Sequence, residues 1–223
     1  MNMHLSDRRI DKISLRKLCP EVFSDEDVSG SDIWLKNFAF VRGRDYTIEA
    51  CSGSGKSSLC SFIYLNRHDF RGELLFDACD SRTFTTAEAC AMRQRHIALV
   101  PQELRLFPEL SAIDNIRLKN KLAAFRTEDE MLEMLDALGI SSLAGRPVGQ
   151  MSIGQMQRVA IVRALCQPFD FILLDEPVSH LDRDNNLAAA NLILREARRQ
   201  GASVITTSVG NPLIIPDAEI VRL

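Results

Sequence analysis

The sequence predicts an α/β fold: a sheet of substantial parallel character, flanked by helices and interrupted by a helical insertion. Three observations point to it. Short apolar runs alternate with amphipathic stretches along the chain. A Gly/Ser-rich segment, Ala50 to Ser57, separates a strand pattern from a helix pattern. Phe171 to Leu174 is an unbroken apolar run that ends in two acids, as a fully buried strand does.

Taken in order, Ile13–Leu15 and Ile33–Phe40 read as short strands around an acidic turn from Ser24 to Ser31. Tyr46–Ala50 reads as a strand and Lys56–Tyr64 as a helix with Leu59, Phe62 and Ile63 on its apolar side. Ile97–Val100 is a short strand stopped by Pro101, and from Glu103 to about Cys166 the pattern is helical. Thr127 and Glu130 form a capping box, followed by Met131, Leu132, Leu135 and Leu138 at helical spacing, with Gly139 as the stop. Phe171–Leu174 and Ser203–Thr207 read as strands and Leu187–Ala197 as an amphipathic helix. One domain over 1–223 is expected, with a lobe from 1–102 and 166–223 and a helical lobe from 103–165.

A chain of 223 residues, 46% of them hydrophobic, can bury a sizeable core. Lys+Arg 27 against Asp+Glu 30 gives a net charge of -3, which argues against a nucleic-acid partner. The six cysteines, at 19, 51, 60, 79, 90 and 166, include no Cys-x-x-Cys pair and read as free thiols in a reducing compartment. No apolar run approaches the ~18 residues of a membrane span. Met1–Leu18 is charged and lacks the apolar stretch of a signal peptide. The expectation is a soluble, cytoplasmic protein whose membrane role, if any, comes through a partner.

Ala50-Cys51-Ser52-Gly53-Ser54-Gly55-Lys56-Ser57 nearly fits G-x-x-x-x-G-K-[ST]. Gly53 and Gly55 let backbone N–H groups curl around a polyanion, Lys56 reaches β/γ oxygens, the Ser57 hydroxyl ligates Mg²⁺, and the following helix aims its positive end at the phosphates. Ala50 replaces the first glycine, a tolerable change where φ stays negative. Alone, the segment also reads as a flexible Gly/Ser turn. Asp175-Glu176, at the end of the buried strand, suits a metal or catalytic site. Asp175 fits the water ligands of Mg²⁺ and Glu176 a general base. A plain acidic turn is the other reading.

A third motif lies between these two: Met151-Ser152-Ile153-Gly154-Gln155-Met156-Gln157-Arg158-Val159-Ala160. It resembles the Leu-Ser-Gly-Gly-Gln signature of ATP-binding-cassette (ABC) ATPases. Gln102 resembles the family's Q-loop glutamine and Ser179-His180-Leu181-Asp182 its D-loop, and the match runs from about Ile33 to Leu223. The resemblance implies a P-loop NTPase domain with a mixed sheet core, a small antiparallel β part and a helical subdomain. It also implies ATP and Mg²⁺ as cofactors and a head-to-tail dimer that sandwiches two ATP molecules. Cys51, Ser52, Gly53, Ser54, Gly55, Lys56, Ser57 and Ser58 would hold the nucleotide, with Ser152, Gly154, Gln155 and Asp182 reaching across the dimer. Glu176, Gln102 and Ser208 would be catalytic, and Ser57, Gln102 and Asp175 would serve the metal.

Two departures bear on turnover. Ile153 replaces the first signature glycine, and a β-branched residue neither takes positive φ cheaply nor allows close backbone approach. Ser208 stands where the family usually has a histidine, and none of the histidines at 4, 68, 96 and 180 substitutes for it. Hydrolysis is expected to be slow or partner-dependent. Phe23 is a candidate to stack on adenine, or equally a core or loop phenylalanine.

Arg93-Gln94-Arg95-His96-Ile97, Pro101-Gln102-Glu103, Leu106–Leu110 and Leu181–Asn185 resemble the lipoprotein-release, macrolide-export and cell-division branch. There the cassette is a separate subunit docked on an integral membrane permease, and with the sequence ending at Leu223 no fused regulatory or membrane part is expected. The protein would then sit peripherally at the inner membrane, with Leu104, Leu106, Phe107 and Leu110 facing the partner or packing internally. A second class, a nucleotide-gated module with little turnover, is favoured by Ile153 and Ser208. Chromosome-organising cassettes need long heptad insertions, for which the roughly 95 residues between Lys56 and Ser152 leave no space.

Overall fold

The computed structural model describes residues 8–223, so the expectation about the N-terminus falls partly outside the described residues. Five strands form a sheet whose neighbours all run parallel: β3 (Tyr46–Glu49), β6 (Ile97–Val100), β7 (Phe171–Asp175), β8 (Ser203–Ser208) and β9 (Glu219–Arg222), in the order β6-β7-β8-β3-β9. Four strands form an antiparallel sheet: β1 (Lys12–Pro20), β2 (Asn37–Val41), β4 (Phe70–Phe76) and β5 (Cys79–Asp80), in the order β2-β1-β4-β5. The helices are α1 (Lys56–Ile63), α2 (Thr86–Arg95), α3 (Ala112–Asn120), α4 (Glu128–Ala137), α5 (Ile153–Leu165) and α6 (Arg183–Gln200). No helix of the described residues is long and apolar enough to cross a membrane.

The parallel sheet divides two cores, and the alternation of side chains along its strands does the dividing. On β7, Ile172 and Leu174 join the apolar residues of α3, α4, α5 and α6, whereas Phe171 and Leu173 face α1 and the antiparallel sheet. On β8, Val204 goes to the first core and Ile205 to the second. A strand that faces protein on both sides must be apolar throughout, which is why Phe171–Leu174 is unbroken.

The predicted strand Ile33–Phe40 is shorter than its composition suggested and begins at Asn37. The Ser31 hydroxyl accepts from the N–H groups of Ile33 and Trp34 at 3.0 and 2.8 Å, and Leu35 takes a left-handed φ of 58°. That local turn consumes donors a strand would pair. A second irregularity sits where β1 shifts register against β4. Lys17 has φ 49°, and a Cβ on Gly72 would lie 2.3 Å from the Lys17 carbonyl oxygen, so only glycine fits.

Asp170, just before β7, fastens the N-terminal residues to the sheet. It is buried, accepts from Arg9 Nε at 2.7 Å and Ile10 N at 2.8 Å, and lies 2.7 Å from His96 Nδ1. Burial alone would raise its pKa. The hydrogen bonds from His96, Ile10 and Arg9 outweigh that and hold it below the usual carboxylate value. A folded-state pKa below the unfolded one adds stability above the unfolded value, which is lost as pH falls through the folded value. Asp170→Asn is expected to cost about 2 kcal/mol at neutral pH. The gap from wild type should close below about pH 4. Denaturant melts of the two proteins that differ equally at both pH values would contradict this.

Candidate functional site

The strand order brings the C-terminal ends of β7, β8 and β3 side by side, where ligands bind in open parallel sheets. The Gly/Ser loop leaves β3 there, the acids leave β7, and Ser208 ends β8. Glu49 and Ser208 are register partners, and Ala50 N donates to Ser208 O at 3.4 Å.

Ala50 is absent from the positive-φ residues, which satisfies the condition for replacing glycine there. Gly53 and Gly55 take φ of 82° and 95°, and α1 starts at the next residue, Lys56. Gly55 has a second reason to be glycine: an added Cβ would lie 2.9 Å from Phe23 and 3.2 Å from Trp34. The loop rests on these two rings, and Trp34 Nε1 donates to the Ser54 carbonyl at 3.0 Å. Phe23 is half-buried against the loop. Lys56 is 6% exposed and points back into the loop, donating to the Cys51 carbonyl at 2.9 Å and lying 3.7 Å from Glu176 Oε1. Ser52, Ser57 and Cys51 are exposed, with Ser54 and Ser58 half-buried.

Ser57 Oγ and Gln102 Oε1 are 3.4 Å apart, which joins the start of α1 to the segment after β6. Asp175 is 4% exposed and accepts from Thr207 Oγ1 at 2.8 Å. Its charge, after burial itself, helps push the Cys60 thiol on α1 well above the usual thiol range. Glu176 leaves the strand at φ 51°, with its N–H on Thr207 Oγ1 at 3.2 Å. The Ser208 hydroxyl is buried without a hydrogen-bond partner among the described residues. Lys56 thus meets Glu176 and Ser57 meets Gln102, while Asp175 and Ser208 close the neighbouring strands β7 and β8.

Ser152, Gly154, Gln155 and Asp182 form a second cluster. Ser152 caps α5, accepting from Gln155 N at 3.3 Å, while Gln155 Oε1 accepts from Ser152 N at 2.9 Å. Ile153 is the first helical residue, so its backbone needs no positive φ. Its side chain is 43% exposed, which leaves only the steric part of the concern. A Cβ on Gly154 would lie 3.0 Å from the His180 carbonyl oxygen. Asp182 caps α6; hydrogen bonds from Asn185 hold its carboxyl below the usual range. The sequence reading missed Gln157, which donates to Ser179 Oγ at 3.0 Å and accepts from His180 N at 3.2 Å. Ser179 N in turn donates to Glu176 O at 3.4 Å, so the two clusters are joined through Glu176–Ser179.

Of the apolar residues read as facing the partner or packing internally, Leu104 takes the second course: it is 5% exposed, has a left-handed φ of 58° and packs in the core. Leu106 and Leu110 are half-buried. Phe107 is 55% exposed and lines a cleft of about 300 Å³ with Tyr64, Leu99, Pro101 and Leu118.

Comparisons with known proteins agree with this geometry. The family model described as ABC transporter matches residues 36–179. The lipoprotein-releasing system ATP-binding protein LolD of Oleidesulfovibrio alaskensis is 30% identical over 180 residues, covering 79% of this chain and 78% of that one. LolD of Bordetella avium is 33% identical over 166 residues, covering 73% and 72%. Among solved structures, the dimeric bacterial ABC transporter cassette MJ0796 superposes with TM-score 0.75 and 26% identity over 88% of this chain and 87% of that one. The motifs, the strand order that gathers them and these matches agree: the chain belongs to the ABC transporter family.

Proposed function

We propose that this chain binds Mg²⁺–ATP and hydrolyses it as the ATP-binding subunit of an ABC transporter or mechanotransmission complex, working as a head-to-tail dimer. The observation that carries the reading is that Lys56 and Ser57, at the start of α1, meet Glu176 and Gln102, which follow the adjacent parallel strands β7 and β6, with Asp175 ending β7. Lys56 is a buried cation whose partners are one carbonyl and one carboxylate, so a triphosphate can take over its donors. The left-handed glycines and the start of α1 supply N–H groups to the same phosphates. Glu176, next to Lys56, orients the attacking water and takes its proton. The buried, unpartnered Ser208 hydroxyl can donate one hydrogen bond to the γ-phosphate but no charge, so turnover is slow.

The residues fit a magnesium ion. Ser57, Gln102 and Asp175 offer hard oxygens beside the phosphate loop, which suits an ion that keeps waters and arrives with a nucleotide. Bound there, the ion would neutralise developing phosphate charge.

In this reading residues 1–223 act as one domain, with 1–102 and 166–223 as the catalytic lobe and 103–165 as the signature lobe. Ser152, Gly154, Gln155 and Asp182 serve the second copy's ATP. The cleft beside Phe107 receives a segment of a separate permease, which holds the chain at the inner membrane. The dimeric cassette supports the second copy, and the LolD relatives, ATP-binding proteins of a lipoprotein-releasing system, support the transporter role. The test is ATP turnover by the purified chain against its Glu176→Gln variant. Equal rates while ATP still binds would sink the reading.

The bracing of the loop has its own consequence. Trp34→Phe keeps an aromatic ring, though a smaller one, and removes the donor to Ser54; the lost hydrogen bond of about 1 kcal/mol predicts at least a roughly fivefold loss of ATP affinity. Titration calorimetry showing no change would mean the indole does not set the loop.

A further inference from the structure

Asp175 and Glu176 do two different jobs in the proposed function, and both hang on a side chain in the neighbouring strand. Thr207 and Asp175 are register partners on β8 and β7. A hydroxyl has one proton to give and two lone pairs to offer. Thr207 gives its proton to Asp175 Oδ1 at 2.8 Å and accepts the Glu176 N–H at 3.2 Å. It is 1% exposed, so neither bond competes with water. Its β-branched side chain restricts χ1, and the oxygen stays aimed between the two acids.

The Glu176 contact has a further reason. Glu176 has φ 51°, a conformation that strains a non-glycine residue and persists only where its surroundings hold it. Thr207 Oγ1 is the partner of its N–H. The same oxygen restrains the rotation of the Asp175 carboxyl by holding its Oδ1 from the β8 side.

We infer that Thr207 is a positioning residue for the hydrolytic centre: its hydroxyl simultaneously orients the carboxylate that serves the metal and holds the strained backbone that aims the general base. The inference rests on the proposed roles of Asp175 and Glu176, but its structural half does not. Thr207→Val preserves shape and removes only the hydroxyl. Native-state amide exchange should then accelerate at Glu176 by at least about tenfold, with Leu173 and Leu174 unchanged. Thr207→Ser, which keeps the oxygen, should restore most of the protection.

The functional half has two readouts. The Mg²⁺ concentration for half-maximal ATP binding should rise severalfold in Thr207→Val. Its kcat should fall about 10- to 50-fold with KM for ATP within about threefold, and the serine variant should recover most of both. Unchanged Glu176 exchange, or loss of kcat and KM together with no rescue by serine, overturns the positioning role. If wild type and Glu176→Gln hydrolyse ATP equally, the proposed catalytic role fails instead. The exchange and Mg²⁺ measurements then still decide what Thr207 holds.

Discussion

Lys56→Ala is expected to abolish measurable ATP binding in the micromolar range, a loss of at least about 100-fold. The ammonium is 6% exposed and 2.9 Å from the Cys51 carbonyl, so it is already inside the loop where phosphates would lie. Alanine removes a charge-assisted donor worth up to about 3 kcal/mol. That is roughly two orders of magnitude in affinity. It also leaves Glu176, now without the cation 3.7 Å away, to repel the incoming triphosphate. Unfolding does not account for the loss, because Glu176 keeps some access to water and the loop still rests on Phe23 and Trp34. Equilibrium dialysis or calorimetry should show the loss while the thermal midpoint moves little. Retained micromolar affinity would refute the assignment of the phosphate loop.

The parts of the fold legible in the sequence were those where one force dominates. Phe171–Leu174 had to be a buried strand because both its faces meet apolar cores. Thr127 and Glu130 announced α4 because the capping box is a local, side-chain-to-backbone arrangement. Where local and tertiary signals disagreed, composition misled. Ile33–Phe40 is apolar enough for a strand, yet the Ser31 turn and left-handed Leu35 keep its first residues out of the sheet. The helix α2 was overlooked because only Met92 is buried on it, so it carries no apolar stripe; the capping box of Thr85 and Glu88 was the available clue. Strand β4, which crosses the antiparallel sheet beside the β1 bulge, is split by Gly72 and lost its pattern.

Of the candidate site, the phosphate loop and the two acids were legible through spacing, since strand ends and loop glycines are local features, whereas Gln102, Ser208, Ser152 and Asp182 were implied by the family resemblance. What spacing could not give was which groups support them. Trp34 lies 20 residues before the carbonyl it holds and Thr207 lies 32 after the carboxylate it holds. Both look like ordinary core residues until the sheet brings them beside the loop. Ile153 shows the reverse error. The glycine it replaces suggested a need for positive φ, but the structure places it in the first helical turn, where isoleucine fits. What remains is an exposed branched side chain on the end of α5 proposed to face the second copy's ATP.

Glu176→Gln is expected to lower ATP turnover by at least about 100-fold while preserving ATP binding. A positioned general base contributes 10²- to 10⁴-fold, and an amide of the same shape cannot take the proton. The backbone cause of its placement survives the change, because the N–H on Thr207 Oγ1 does not depend on the side chain. Binding should hold or tighten: the carboxylate that now shares Lys56 would be gone, freeing the ammonium for phosphate and removing a repulsive charge. Since Ser208 would bring no charge to the γ-phosphate, the wild-type rate is expected to be low itself, and single-turnover phosphate release with excess enzyme is the right measurement. A wild-type rate that matches the glutamine variant, with both proteins saturated by ATP, would mean that Glu176 does not activate water here. ATP would then act on this chain by displacing the contact between Lys56 and Glu176 rather than by being consumed.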